Sequence, residues 1–94
     1  MRLFRNVDEK LKDLGFRKVN ENEFGVSYIK EASMAAKYNH VISIVSKLNG
    51  NHLIQSYEEK VNTDNFNNVV GLTYKETKLA MKKYRQLKRK YKWK

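Results

Sequence analysis

Residues 41–57 read Val-Ile-Ser-Ile-Val-Ser-Lys-Leu-Asn-Gly-Asn-His-Leu-Ile-Gln-Ser-Tyr, and the fold class turns on them. Val41 to Lys47 is rich in β-branched side chains, which pack well on a pleated surface and disfavour a helix. Asn49-Gly50 then predicts a two-residue type I′ turn, because both central residues of that turn need φ > 0 and its twist matches the strands it joins. His52 to Tyr57 returns as the partner strand. In that register Val45 opposes Ile54 on one face and Ile42 opposes Tyr57 on the other, while His40 opposes Glu59 and His52 opposes Lys47. Apolar groups on both faces place this hairpin centrally in a sheet.

Working outward, Arg17–Asn20 and Glu23–Ile29 flank a polar Asn20-Glu21-Asn22 turn, with Phe24, Val26 and Tyr28 alternating against smaller or polar neighbours, which predicts a first hairpin. Residues 31–39 show no clear period and are open between a loop and a helical turn. Phe4, Val7, Leu11 and Leu14 recur at helical spacing and Gly15 follows, so a first helix is expected over residues 2–14. Beyond the central hairpin, residues 60–71 are crowded with Asn and Asp, which is turn chemistry, and Val69-Val70 offers a return to the sheet. Thr73-Tyr74-Lys75-Glu76 matches a capping box, opening a second helix from Tyr74 to about Tyr91, roughly 18 residues or ~27 Å long. The expectation is an α+β domain spanning residues 1–94, with an antiparallel sheet of three or four strands. Helices at the N- and C-terminal ends pack on one face of it, in the order α-β-β-β-β-α.

Charge is distributed unevenly over these elements. Of a net charge of +10, residues 75–94 supply nine, with ten Lys or Arg against Glu76 alone. Like charges on one helix repel by about 0.2–0.5 kcal/mol per i,i+4 pair, so the arrangement points to a polyanionic partner. At 100° per residue, Thr77, Ala80, Met81, Tyr84, Leu87 and Tyr91 gather on an apolar stripe about 120° wide, and Leu79 falls outside it, expected at the surface. Lys75, Lys78, Lys82, Arg85 and Arg89 form a cationic stripe about 80° wide, roughly 120° away from the apolar one. Past them, Lys88 to Lys94 interleaves Tyr91 and Trp93 with cations.

Four readings of this terminus are open. Rings and lysines together suit nucleic acid, the rings stacking on unpaired bases. The cations alone suit an acidic protein partner. A lipid surface would need more insertable side chains than Trp93 and Leu79. A solvated end whose cations offset the helix dipole needs no ligand at all. Lysine outnumbers arginine fifteen to five, and an ammonium is a point charge without the planar fork that reads guanine, so attraction without base reading is expected.

Other classes find little support. The chain has no cysteine and two histidines, His40 and His52, so thiolate and disulfide chemistry are excluded and no metal site or cofactor is expected. Glu58 and Glu59 are adjacent and point to opposite faces of a strand. No nucleophile motif or phosphate loop is present, so the chain reads as non-enzymatic. The first fourteen residues carry seven charges and no apolar run approaches eighteen residues, so neither a signal peptide nor a membrane span is expected and the reading is cytoplasmic.

Two resemblances accompany this reading. Leu11-Lys-Asp-Leu-Gly-Phe16, Phe24-Gly-Val-Ser-Tyr28, His52-Leu-Ile-Gln-Ser-Tyr57 and Val70-Gly-Leu-Thr-Tyr-Lys-Glu-Thr-Lys-Leu79 resemble segments of small uncharacterised phage or prophage proteins of low-GC Gram-positive bacteria, which bring no established activity. The element order, with Gly50-Asn51-His52 before a strand and Lys75-Glu76-Thr77-Lys78 opening the last helix, is similar to double-stranded-RNA-binding domains. That likeness implies RNA-backbone contacts at His52, Lys75 and Lys78. The chain departs from that pattern at Asn51, at Tyr74 and in the long span from Gly15 to Gly50. The expected site is Lys75, Lys78, Lys82, Arg85, Arg89 and Trp93, with DNA or RNA as partner and an acidic protein as the alternative.

Overall fold

Local capping decides where the first helix begins. In the computed structural model, which describes residues 6–31, 38–60 and 67–94, Asn6 is extended at φ −74°, ψ 169° and its Oδ1 accepts the Glu9 amide at 2.8 Å. Helix α1 as described covers Val7–Asp13 from an Asn cap, and the expected start at residue 2 lies outside the described residues. The expected positions Leu3 and Phe4, most of the undecided segment (32–37) and the centre of the Asn-rich segment (61–66) lie outside the described residues.

Four long strands follow: β1 (Phe16–Asn22), β2 (Gly25–Lys30), β3 (Tyr38–Val45) and β4 (Leu53–Lys60); a short β5 (Asn67–Val69) precedes helix α2 (Tyr74–Lys90). The sheet runs in the order β1-β2-β3-β4-β5, every neighbour antiparallel. The expected α-β-β-β-β-α plan with both helices on one face holds for the four long strands, and the short β5 adds a fifth at the edge. Val69 does re-enter the sheet, opposite Tyr57, in the short edge strand.

Both hairpins close differently from the sequence reading. The first turn lies at Glu23-Phe24, because Asn22 pairs with Gly25 and its Oδ1 accepts the Phe24 amide at 2.8 Å. The second pairs Val45 with Leu53, Ile44 with Ile54, Ile42 with Ser56, Val41 with Tyr57 and His40 with Glu58, one residue out of the expected register. Among the described residues Lys92 is the only non-glycine with positive φ, so Asn49 does not adopt the type I′ geometry. Instead the Gly50 amide donates to the Lys47 carbonyl at 3.0 Å, Gly50 takes φ 86°, and His52 Nδ1 accepts the Lys47 amide at 2.9 Å. The imidazole takes a donor the ladder would have used, and the loop lengthens.

In this register Ile42 and Ile44 face the helices with Val26 and Tyr28 of β2 and Phe16 of β1, and meet Val7 and Leu11 of α1 and Leu79, Ala80 and Leu87 of α2 in one buried cluster. Burying side chains of this size contributes ~1.5–3 kcal/mol each. Leu14 and Tyr84 border the same cluster. β3 is the central strand, and Val41 is buried on its other face.

A basic helix face and its counter-charges

The capping box on α2 is as the sequence predicted: the Glu76 amide donates to Thr73 Oγ1 at 3.1 Å and the Thr73 amide to Glu76 Oε1 at 2.9 Å. The far end is capped as well. Lys92 occupies the left-handed region at φ 55°, the Trp93 amide donates to the Lys88 carbonyl at 3.0 Å and the Tyr91 amide to the Leu87 carbonyl at 2.9 Å. This is a Schellman-type closure built on lysine instead of glycine.

The helix is rotated relative to its hydropathy pattern. Leu79 is 7% exposed and Met81 46%, the reverse of the expectation, and the buried line runs Glu76, Leu79, Ala80, Lys83, Leu87. Lys83 explains the rotation. Its ammonium lies 2.8 Å from Glu21 Oε1 and 3.3 Å from Asp8 Oδ1, and the Lys83 and Glu21 side chains are 9% and 10% exposed. A pairing of this kind lets a lysine occupy a core-facing position that hydropathy assigns to the surface.

Glu21 reaches that position through an irregularity in β1. The pairing of β1 with β2 shifts between Lys18 and Asn20, so Lys18 and Glu21, three residues apart, both face the helices. Lys18 approaches Asp8 Oδ2 at 3.0 Å and Glu21 Oε1 at 3.6 Å; Glu21 Oε2 takes Lys90 at 2.9 Å and the Tyr91 hydroxyl at 3.0 Å. The Tyr28 hydroxyl donates to Asp8 Oδ1. Burial alone would raise the Glu21 carboxyl, but bonds from Lys83, Lys90 and Tyr91 together with the Lys83 charge bring it down to about 2. Burial likewise works against Asp8, and Tyr28, Lys18 and Lys83 outweigh it to hold its carboxyl below the ordinary value. Burial and then the Asp8 contact raise the Tyr28 hydroxyl far above the ordinary phenol range.

Lys75, Lys78, Lys82, Arg85 and Arg89 are all exposed on α2, and no ion pair joins any of them to a carboxylate among the described residues. The first four form one wall of a groove that Lys10 and Asp13 of α1 complete, with Leu79 between them. The structure thus sets four of the five cations that the sequence picked out along one groove, leaves Arg89 exposed further along the helix, and adds Lys10, whose place beside α2 is a product of helix packing.

Trp93 does not join them. Its Nε1 donates to the Glu23 carbonyl at 2.8 Å, and its ring lies 5.0 Å from His52 and 6.3 Å from Tyr84. Tyr91 is likewise held on Glu21. The aromatics interleaved with the terminal lysines therefore close the fold, and they are not presented for stacking beside the cations. His52, the loop residue of the double-stranded-RNA-binding resemblance, has Nδ1 engaged by the Lys47 amide and Nε2 at 2.8 Å from the Lys94 carbonyl.

His40 Nε2 meets Ser56 Oγ at 2.7 Å and its ring lies 5.1 Å from Phe16 in an edge-on contact. Burial is the main cause that lowers its pKa, and the pair ties β3 to β4. No group of three metal-ligating side chains gathers among the described residues, and no helix among them is long and apolar enough to cross a membrane. A scan against protein-family models and searches of curated proteins and of solved structures find no match to this chain.

Proposed function

We propose that this chain is a non-enzymatic, cytoplasmic accessory protein, of the phage-like kind its sequence resembles, that binds nucleic acid without strong sequence preference through Lys75, Lys78, Lys82, Arg85 and Arg89. One observation carries the reading: five exposed cations stand in a row on a helix capped at both ends, with no described carboxylate paired to them, while Asp8 and Glu21 are engaged with Lys18, Lys83 and Lys90. Like charges held in such a row raise the free energy of the unliganded helix. Phosphates relieve that repulsion and release condensed counterions on binding.

Salt titration tests it. The five cations of α2, each on one phosphate of duplex DNA, by themselves contribute about −4.5 to the slope of log K against log salt. A slope near zero removes the proposed footprint. Saturable capture of one acidic polypeptide from nuclease-treated lysate, with no affinity for random DNA or RNA, would replace it with the protein-partner reading.

A further inference from the structure

The cationic row is geometrically stiff. A capping box fixes one end of α2 and the left-handed turn at Lys92 fixes the other. Lys75, Lys78, Lys82, Arg85 and Arg89 follow each other at alternating steps of three and four residues, so the row extends ~21 Å along the axis. A duplex offers its charge along an equally stiff line, one per ~1.7 Å of axis, and the two can meet without either being ordered on contact. A single strand has to be straightened first. Proteins that bind unpaired strands offset that loss by stacking successive bases on aromatic rings.

Those rings are turned away from the row. Tyr91 and Trp93 are bound to the β1–β2 hairpin, and Tyr84 is partly buried near His52 and Trp93. Tyr74 alone is open on α2, 78% exposed, with the Lys78 ammonium 5.4 Å from its ring centroid; one ring does not make a platform for successive bases. Meanwhile Lys10 of α1 lines the same groove as Lys75, Lys78, Lys82 and Arg85, with Asp13 beside it.

Resting on the reading of the basic face given above, we infer that its ligand is the sugar-phosphate backbone of a nucleic-acid duplex, held between the α2 row and Lys10 of α1, and not an unpaired strand. DNA and RNA duplexes share that chemistry. Lys10 adds a sixth phosphate contact and, being on a separate helix, sets the backbone across the groove as well as along it.

The test is a set of anisotropy titrations of the full chain over a salt series, using random-sequence DNA and RNA duplexes of ~20 base pairs and the corresponding single strands. The duplex slope is expected near −5.4, and single strands should bind at least about tenfold more weakly at ~0.1 M salt. Lys10→Gln should bring the duplex slope back to about −4.5 with an unchanged thermal melt, and Tyr74→Ala should leave duplex affinity unchanged. Whichever duplex binds more tightly identifies the source of the backbone, and either supports the cradle. Single strands binding as tightly as duplexes, or Lys10→Gln leaving the slope untouched, would overturn the cradle while the basic-face reading stands. No affinity for any of the four probes at low salt would overturn both.

Discussion

At the scale of single residues, Lys83 is the position on which α2 is oriented. Its charge lies among apolar neighbours and is tolerated because Glu21 and Asp8 meet it from β1 and α1. Removing Lys83 takes the nearest cation from Glu21 Oε1 in a poorly solvated site and leaves that oxygen only the longer Lys18 contact at 3.6 Å. Lys83→Met should therefore lower unfolding free energy by about 3 kcal/mol in urea titrations. The double variant with Glu21→Gln should lose less than the sum of the two single losses, because the residues share one network. Acid exposes the same cluster. The Glu21 carboxyl is lowered from 4.5 to about 2 in the fold, so its contribution is complete above its unfolded value and disappears as pH falls through the folded one. Stability of the native chain should decline between pH 4.5 and about 2, and Glu21→Gln should flatten part of that decline, as read by urea midpoints across the window. Asp8, lowered in the same direction, contributes to the decline with the same sign.

Among the elements, α2 was legible in its capped start and its charges but not in its C-terminal closure or its rotation. Thr73 and Glu76 announce the N-terminus through a purely local bond pattern, and Thr73→Ala should lower stability by about 1 kcal/mol. The C-terminal closure is hidden, since lysine has no preference for the left-handed backbone that Lys92 adopts. Lys92→Gly should raise stability by about 1 kcal/mol by removing the Cβ clash of that conformation, visible as a higher urea midpoint. The rotation eluded hydropathy for one reason: a lysine paired with carboxylates from two distant elements behaves as a core residue. The β3–β4 register slipped for a similar one. Asn49-Gly50 encodes a tight turn taken alone, and the His52 imidazole, by accepting the Lys47 amide, selects a wider one. A slip of one residue exchanges the two faces of a strand, which is how Ile54 comes to pair with Ile44 on the helix side.

At the scale of the whole molecule, charge is sorted in space as well as along the chain. The acids Asp8 and Glu21 gather on one flank of α2 against Lys18, Lys83 and Lys90, and the opposite flank keeps its cations exposed. Because the exposed row lies off the buried line of α2, neutralising Lys75, Lys78, Lys82, Arg85 and Arg89 together to Gln should leave the thermal melt at or slightly above that of the native chain, through relief of repulsion at ~0.2–0.5 kcal/mol per close pair. The same variant should lose the salt-dependent affinity for nucleic acid, read by anisotropy. The α+β class, the strong β character within residues 41–57, the capped start of α2 and the five-cation row can be read from local sequence, because spacing, capping and charge act within a few residues. Tertiary structure alone decided that Trp93 and Tyr91 serve the fold, that Lys83 is a core residue and that Lys10 stands across a groove from α2. Each of these depends on contacts between residues tens of positions apart, whose energies have no trace in the local pattern.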